Sequence, residues 1–208
     1  MKKKLLLFLC AVTLVFGVTW VGSASAITIF SDDFSRENSN TVRNGWGEIE
    51  DESDDVAIKS KYLQLRDNRG CNPDAAVFQG ISTKGFTDIY LDFDWKANYN
   101  TEKGDHLYVS WDLSDDNWVS IFNQELGGSD FASVSLGIGG AEYQDNFRIA
   151  FWTDVSCFTE AAYIDNVVLS GTAAAAAAPV PEPATMLLMG TGLIGLMAFG
   201  RKRFNKKA

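Results

Sequence analysis

The middle of this chain is predicted to be all-β, an antiparallel β-sandwich of the jelly-roll kind. Three observations predict it. Apolar and polar residues alternate with a period of two over many short stretches, turn-forming clusters separate those stretches, and no long helical period runs between them. Strands with one dry and one wet face need a second sheet to cover the dry side, which gives two packed layers.

The first element is an address rather than structure. Met1-Lys2-Lys3-Lys4 leads into a nearly continuous apolar run from Leu5 to Val21, followed by Gly22-Ser23-Ala24-Ser25-Ala26. A basic start, an apolar stretch and an A-x-A site define a secretory signal peptide over residues 1–26, with cleavage expected after Ala26. Residues 27–171 are then one domain, long enough to bury a core without metals or many disulfides.

Within the domain the strands follow in order. Tyr62-Leu63-Gln64-Leu65 and Ala76-Val77-Phe78 are short candidates. In Ile89-Tyr90-Leu91-Asp92-Phe93-Asp94-Trp95 the odd positions are large and apolar, while Asp92 and Asp94 face away. Leu107, Val109, Trp111 and Leu113 repeat the pattern, as do Trp118 to Phe122, Val134 to Ile138, Phe147 to Phe151 and Tyr163 to Leu169. Asp67-Asn68-Arg69-Gly70, Asn100 to Gly104, Ser114 to Asn117, Gly127 to Asp130 and Gly139-Gly140 supply the turns. Eight to ten strands are expected.

The last element mirrors the first. An alanine-rich linker over 172–179 is followed by Val180-Pro181-Glu182-Pro183, where proline holds the chain extended and blocks helix entry. Ala184 to Gly200 is uncharged and mostly apolar, a transmembrane helix near the lower length limit at about 1.5 Å rise per residue. Its glycines suit a transient membrane anchor, and the basic tail over 201–207 stays cytoplasmic. Val180-Pro181-Glu182-Pro183, the glycine- and leucine-rich span, and Arg201, Lys202 and Arg203 together resemble the PEP-CTERM sorting signal over 180–208. The resemblance implies an exosortase-type membrane protease as partner, cleavage near the Pro-Glu-Pro motif, and release to the cell surface or extracellular matrix. It also implies a link to exopolysaccharide and biofilm production.

Removing both addressing segments changes the charge balance. Ten basic residues remain against 26 acidic ones, a formal charge of −16 for the domain. Such a surface repels nucleic acid and anionic polymers at low salt, leaving neutral glycans or divalent cations as fitting partners. Cysteine usage fits export: Cys10 leaves with the signal, and Cys71 and Cys157 are expected to form one disulfide, closing a loop for about 4–5 kcal/mol on the entropic model.

Phe30-Ser31-Asp32-Asp33-Phe34 and Asn44-Gly45-Trp46 near the start, with Ile164-Asp165-Asn166-Val167 near the end, are similar to lectin-like jelly rolls of the concanavalin and carbohydrate-binding-module type. That resemblance implies first and last strands side by side, with Asp32, Asp33 and Asp165 sharing a structural calcium ion. The alternative is that Asp32 caps a turn and Asp165 ends a strand. Catalysis has one candidate, Glu48, Glu50 and Glu52, which on a strand would share a face as in jelly-roll glycoside hydrolases. One histidine in the chain leaves no His-rich metal centre.

Five tryptophans in the domain supply flat apolar faces of the kind that stack on sugar rings. Trp95 and Trp111 fall on the inward phase of their strands and are expected to pack the core. Trp152 falls on the opposite phase from Phe151, with Arg148 and Ala150, and Trp46 and Trp118 border loops. Trp46, Trp118 and Trp152 are therefore the candidates for glycan binding. The expected protein is an exported, non-catalytic surface or matrix protein that binds carbohydrate. The alternatives are a jelly-roll glycoside hydrolase and a structural matrix protein without a specific ligand.

Overall fold

The computed structural model describes residues 25–50, 52–67, 75–113, 116–174 and 187–194, with side chains for all of these except 75–77. Residues 1–24, most of the expected signal peptide, lie outside the described residues, as do Cys71, the Pro-Glu-Pro motif and the basic tail. The chain divides into two compact units, one ending at Ala173 and one beginning at Ala174.

Among the described residues of the first unit are eleven strands: β1 (Ala26–Asp32), β2 (Trp46–Ile49), β3 (Val56–Lys59), β4 (Tyr62–Leu65), β5 (Ala75–Ile81), β6 (Phe86–Ala97), β7 (His106–Asp112), β8 (Val119–Glu125), β9 (Ala132–Gly137), β10 (Phe147–Thr153) and β11 (Ala162–Ala173). Sheet one runs β3-β4-β11-β6-β9, with β1 also paired to β11; sheet two runs β2-β5-β10-β7-β8. Every pairing is antiparallel. The predicted sandwich is what forms, and the first and last strands lie side by side as expected, Ala26 opposite Thr172 and Asp32 opposite Val167. β1, β2 and β3 are the elements that sequence periodicity did not mark; β2 and β3 are only four residues long.

Period-two alternation explains the core. Along β6 the buried positions are Ile89, Leu91, Phe93, Trp95 and Ala97, with Tyr90, Asp92, Asp94 and Lys96 on the other face. Phe151 of β10 meets Phe93 across the sandwich, with ring centroids 5.1 Å apart at 82°. Phe122 packs edge-on against Phe93 and Trp95. Offset and edge-to-face aromatic pairs of this kind add to the stabilisation that burial alone provides. All of this core lies between Phe34 and Leu169, so the sandwich is a self-contained folding unit.

β11 carries a bulge between Asp165 and Val168, where Asn166 adopts φ 50°. Asparagine tolerates this left-handed conformation because its side chain bonds locally. Its Nδ2 donates to Asp94 Oδ2 at 2.8 Å.

In the second unit residues 187–194 are helical. The span expected over 184–200 is described only there. No helix among the described residues is long and apolar enough to cross a membrane.

Candidate functional site

The outward face of sheet two is built by register. One cross-strand row places Gly47 opposite Phe78, Phe78 opposite Ala150, Ala150 opposite Ser110, and Ser110 opposite Ser120. On one side of that row Trp152 is opposite Tyr108; on the other, Arg148 is opposite Asp112. Small residues thus run across β10, β7 and β8 between two rows of large ones, with Phe78 at one end. The result is a trough of about 380 Å³ lined by Ile49, Phe78, Ser110, Trp118, Ser120, Ala150 and Trp152. Rows four residues apart along β10 are roughly 13 Å apart, wide enough for a sugar ring between them.

Each large side chain is held in place. Trp152 stacks on Tyr108 with centroids 3.9 Å apart and planes 10° apart, and its Nε1 donates to Ser110 Oγ at 3.2 Å. The Tyr108 hydroxyl donates to Asp154 Oδ2 at 2.8 Å, and burial together with that carboxylate pushes the phenol pKa up. Across the trough the Arg148 guanidinium lies 4.9 Å from the Trp118 ring centroid and 5.7 Å from that of Phe78. Asp112 grips it through Nε and Nη2, and Asp116 accepts from Nη2 at 2.8 Å. Hydrogen bonds to those carboxylates raise the Arg148 pKa further. Rigid aromatic faces flank a polar-dotted floor, which is the chemistry a sugar ring requires: C–H surfaces stack while hydroxyls bond to side-chain oxygens and N–H groups.

Of the three predicted glycan-binding tryptophans, the structure brings two together. Trp118 is 36% exposed and lines the trough with Trp152. Trp46 does not belong there. It is 7% exposed and packs edge-on against Phe30 and beside Phe34 and Phe151, because the first position of β2 points into the sandwich. Trp95 and Trp111 pack on the core as their phase indicated. Sequence reasoning missed Tyr108, Phe78 and Ile49. Tyr108 shares the outward phase of β7 with Ser110, a signal that was present but went unread; Phe78 depends on a glycine opposite it.

Asp32 caps the turn after β1, the alternative to a calcium role. Its Oδ1 accepts from Phe34 N at 2.8 Å and Arg36 Nη1 at 2.7 Å; its Oδ2 accepts from Trp46 Nε1 at 2.9 Å, Arg36 Nη2 at 3.0 Å and Asn44 Nδ2 at 3.1 Å. Burial raises its pKa, but these donors outweigh burial and bring it below the ordinary value. The residues do not fit a calcium ion led by Asp32, because a guanidinium holds the place between its oxygens. Asp33 Oδ1 caps Ser35 N at 3.0 Å, and Asp165 Oδ1 accepts from Asn166 N at 2.8 Å. Among the described residues no group of three or more His, Cys, Asp or Glu side chains is arranged to hold a metal ion.

The acidic run near β2 is engaged with the backbone around it. Glu48 Oε1 accepts from Val42 N at 2.5 Å and Glu50 Oε2 from Val56 N at 3.0 Å, so both tie down neighbouring loops. Glu50 lies past the end of β2, which breaks the common face the pattern needed. Cys157 carries a free, half-buried thiol, and Cys71, its expected disulfide partner, lies outside the described residues.

Comparison with known proteins adds the address. Residues 179–203 match the PEP-CTERM protein-sorting motif. The motif implies export, a transient membrane anchor and processing by an exosortase. Val180, Pro181, Glu182, Pro183, Arg201, Lys202 and Arg203 all fall inside the match, which ends before the last residues of the tail. No curated protein matches the chain. Among solved structures, the K3 cleaved adhesin domain of Lys-gingipain from Porphyromonas gingivalis is 14% identical, with a TM-score of 0.51 over 70% of this chain and 99% of that one. A family 29 carbohydrate-binding module is 18% identical, with a TM-score of 0.46 over 77% and 99%. The CBM22-1 xylan-binding domain of Paenibacillus barcinonensis Xyn10C is 10% identical, with a TM-score of 0.46 over 74% and 100%. These similarities concern the β-sandwich fold alone.

Proposed function

We propose that this PEP-CTERM-sorted protein is a non-catalytic carbohydrate-binding protein of the cell surface or extracellular matrix. Its ligand is a neutral sugar chain seated in the trough of sheet two. One observation carries this reading: Trp152, stacked on Tyr108, and Trp118, beside the Arg148 guanidinium, flank a floor of Ala150, Ser110 and Ser120. Preorganised aromatic rings avoid the ordering cost that weakens flexible sites. The acidic surface favours an uncharged polymer in this trough, and the producing cell's own exopolysaccharide is the partner that the sorting route makes available. The engagement of Glu48 and Glu50 with backbone N–H groups speaks against the hydrolase alternative.

The indole N–H resonances test the assignment. On titration of the ectodomain (residues 27–173) with neutral oligosaccharides, the Trp118 and Trp152 signals are expected to shift. Those of Trp46 and Trp95, which are buried in the core, stay in place. Shifts at neither trough indole during proven binding would move the ligand elsewhere.

A further inference from the structure

The opposite face of the sandwich carries a second aromatic cluster of different chemistry. Lys96 projects from β6, and its Nζ lies 4.5 Å from the ring centroid of Phe131, 4.9 Å from Tyr62 and 5.6 Å from Tyr163. Beside it opens a groove of about 290 Å³ whose lining includes Ser60, Lys96, Asn98, Tyr99, Ser129 and Tyr163. Tyr99 is 88% exposed at its mouth.

Charge makes this corner unusual. The domain has 26 acidic residues and ten basic ones, yet no carboxylate lines the groove among the described residues. Lys59 and Lys61 flank Ser60, a lining residue, in the hairpin between β3 and β4. Arg36, Arg66, Lys84 and Arg148 are each paired with an aspartate, whereas the Lys96 ammonium lies over three aromatic rings. Such an ammonium presents N–H donors beside aromatic faces, and its strongest complement is a carboxylate. The Tyr163 hydroxyl accepts from Gln64 Nε2 at 3.0 Å, which leaves its own proton to give.

We propose that this groove is a second binding site, taking a carboxylate-bearing sugar, a uronate residue, with its acid on Lys96 and its ring against Tyr99. The hydroxyls of Ser60 and Ser129 match those of such a ring. Repulsion from carboxylates farther than about 8 Å away is largely screened at physiological ionic strength.

Calorimetric titration of the ectodomain with oligomers of glucuronate, galacturonate and mannuronate, each beside its uncharged methyl ester, tests the proposal. At least one uronate is expected to bind, and its ester to bind about tenfold more weakly, as loss of one charge-assisted contact requires. Lys96→Gln and Tyr99→Ala are expected to weaken the uronate similarly with no change in melting temperature, while Trp152→Ala on the other sheet leaves uronate binding intact. The proposal is overturned by absence of binding to every uronate, by equal affinity for acid and ester, by indifference to Lys96→Gln, or by loss of uronate binding in Trp152→Ala.

Discussion

Asp32 shows how much one side chain can organise. It is 5% exposed and gathers the turn after β1, Arg36, Asn44 and the indole of Trp46 around two oxygens. Replacing it with alanine strands a guanidinium and a buried indole N–H, and the expected loss is about 3 kcal/mol of unfolding free energy, read from denaturant midpoints. Because the arginine occupies the site, EDTA is expected to leave the melting temperature unchanged; a clear fall would restore the metal reading. The residue's identity was legible in Phe30 to Phe34 but its partner was not, since an Asp followed four residues later by Arg becomes a bidentate pair only once the turn brings them together. Trp152 was legible for the opposite reason: its role depends on strand phase alone. Trp46 shows the limit, as a loop-bordering tryptophan became the first residue of a four-residue strand whose phase turns it inward.

At the scale of elements, β2 and β5 illustrate how a small residue positions a large one. A Cβ on Gly47 would lie 2.2 Å from Phe78 Cζ, so the Phe78 ring lies directly over the glycine and forms one end of the trough. Gly47→Ala must displace that ring, at a cost of about 1–3 kcal/mol for an overpacked contact. The expected outcome is weakened binding of the neutral ligand with the uronate groove unaffected; unchanged affinity for both would remove Phe78 from the site. The long strands were readable because seven or more alternating residues outvote chance, and β6, β7, β10 and β11 appear where the pattern puts them. β2 and β3 were not, because their pairing is decided by β5 and β4 rather than by their own residues.

The whole molecule is an acidic sandwich, and its stability follows from that. Glu50, Asp105, Glu160 and Asp165 all have pKa values raised first by burial and then by neighbouring carboxylates. A raised carboxyl contributes most to stability when protonated, below its unfolded pKa, and loses that contribution as pH rises through its folded pKa. Asp32 has the reverse sign: its contribution is present above its unfolded pKa and is lost as pH falls through its lowered folded one. The melting temperature of the ectodomain is therefore expected to rise as pH drops from about 7 toward about 5 and to fall again below about 4. A flat or steadily falling profile would contradict this charge distribution. The sandwich, its acidity and its export route were all readable from the chain. The trough was not, because its floor of Ala150, Ser110 and Ser120 comes from three strands in two separate stretches of sequence.

The measurement that bears most directly on the trough is affinity electrophoresis of the ectodomain through gels containing neutral polysaccharides, the producing cell's exopolysaccharide among them. The wild type is expected to be retarded by at least one polymer, with Trp118→Ala and Trp152→Ala each losing about tenfold or more in affinity while keeping the wild-type melting temperature within a few degrees. Retardation that persists undiminished in the double variant, or its absence with every polymer, would contradict the assignment of sheet two as a carbohydrate-binding face.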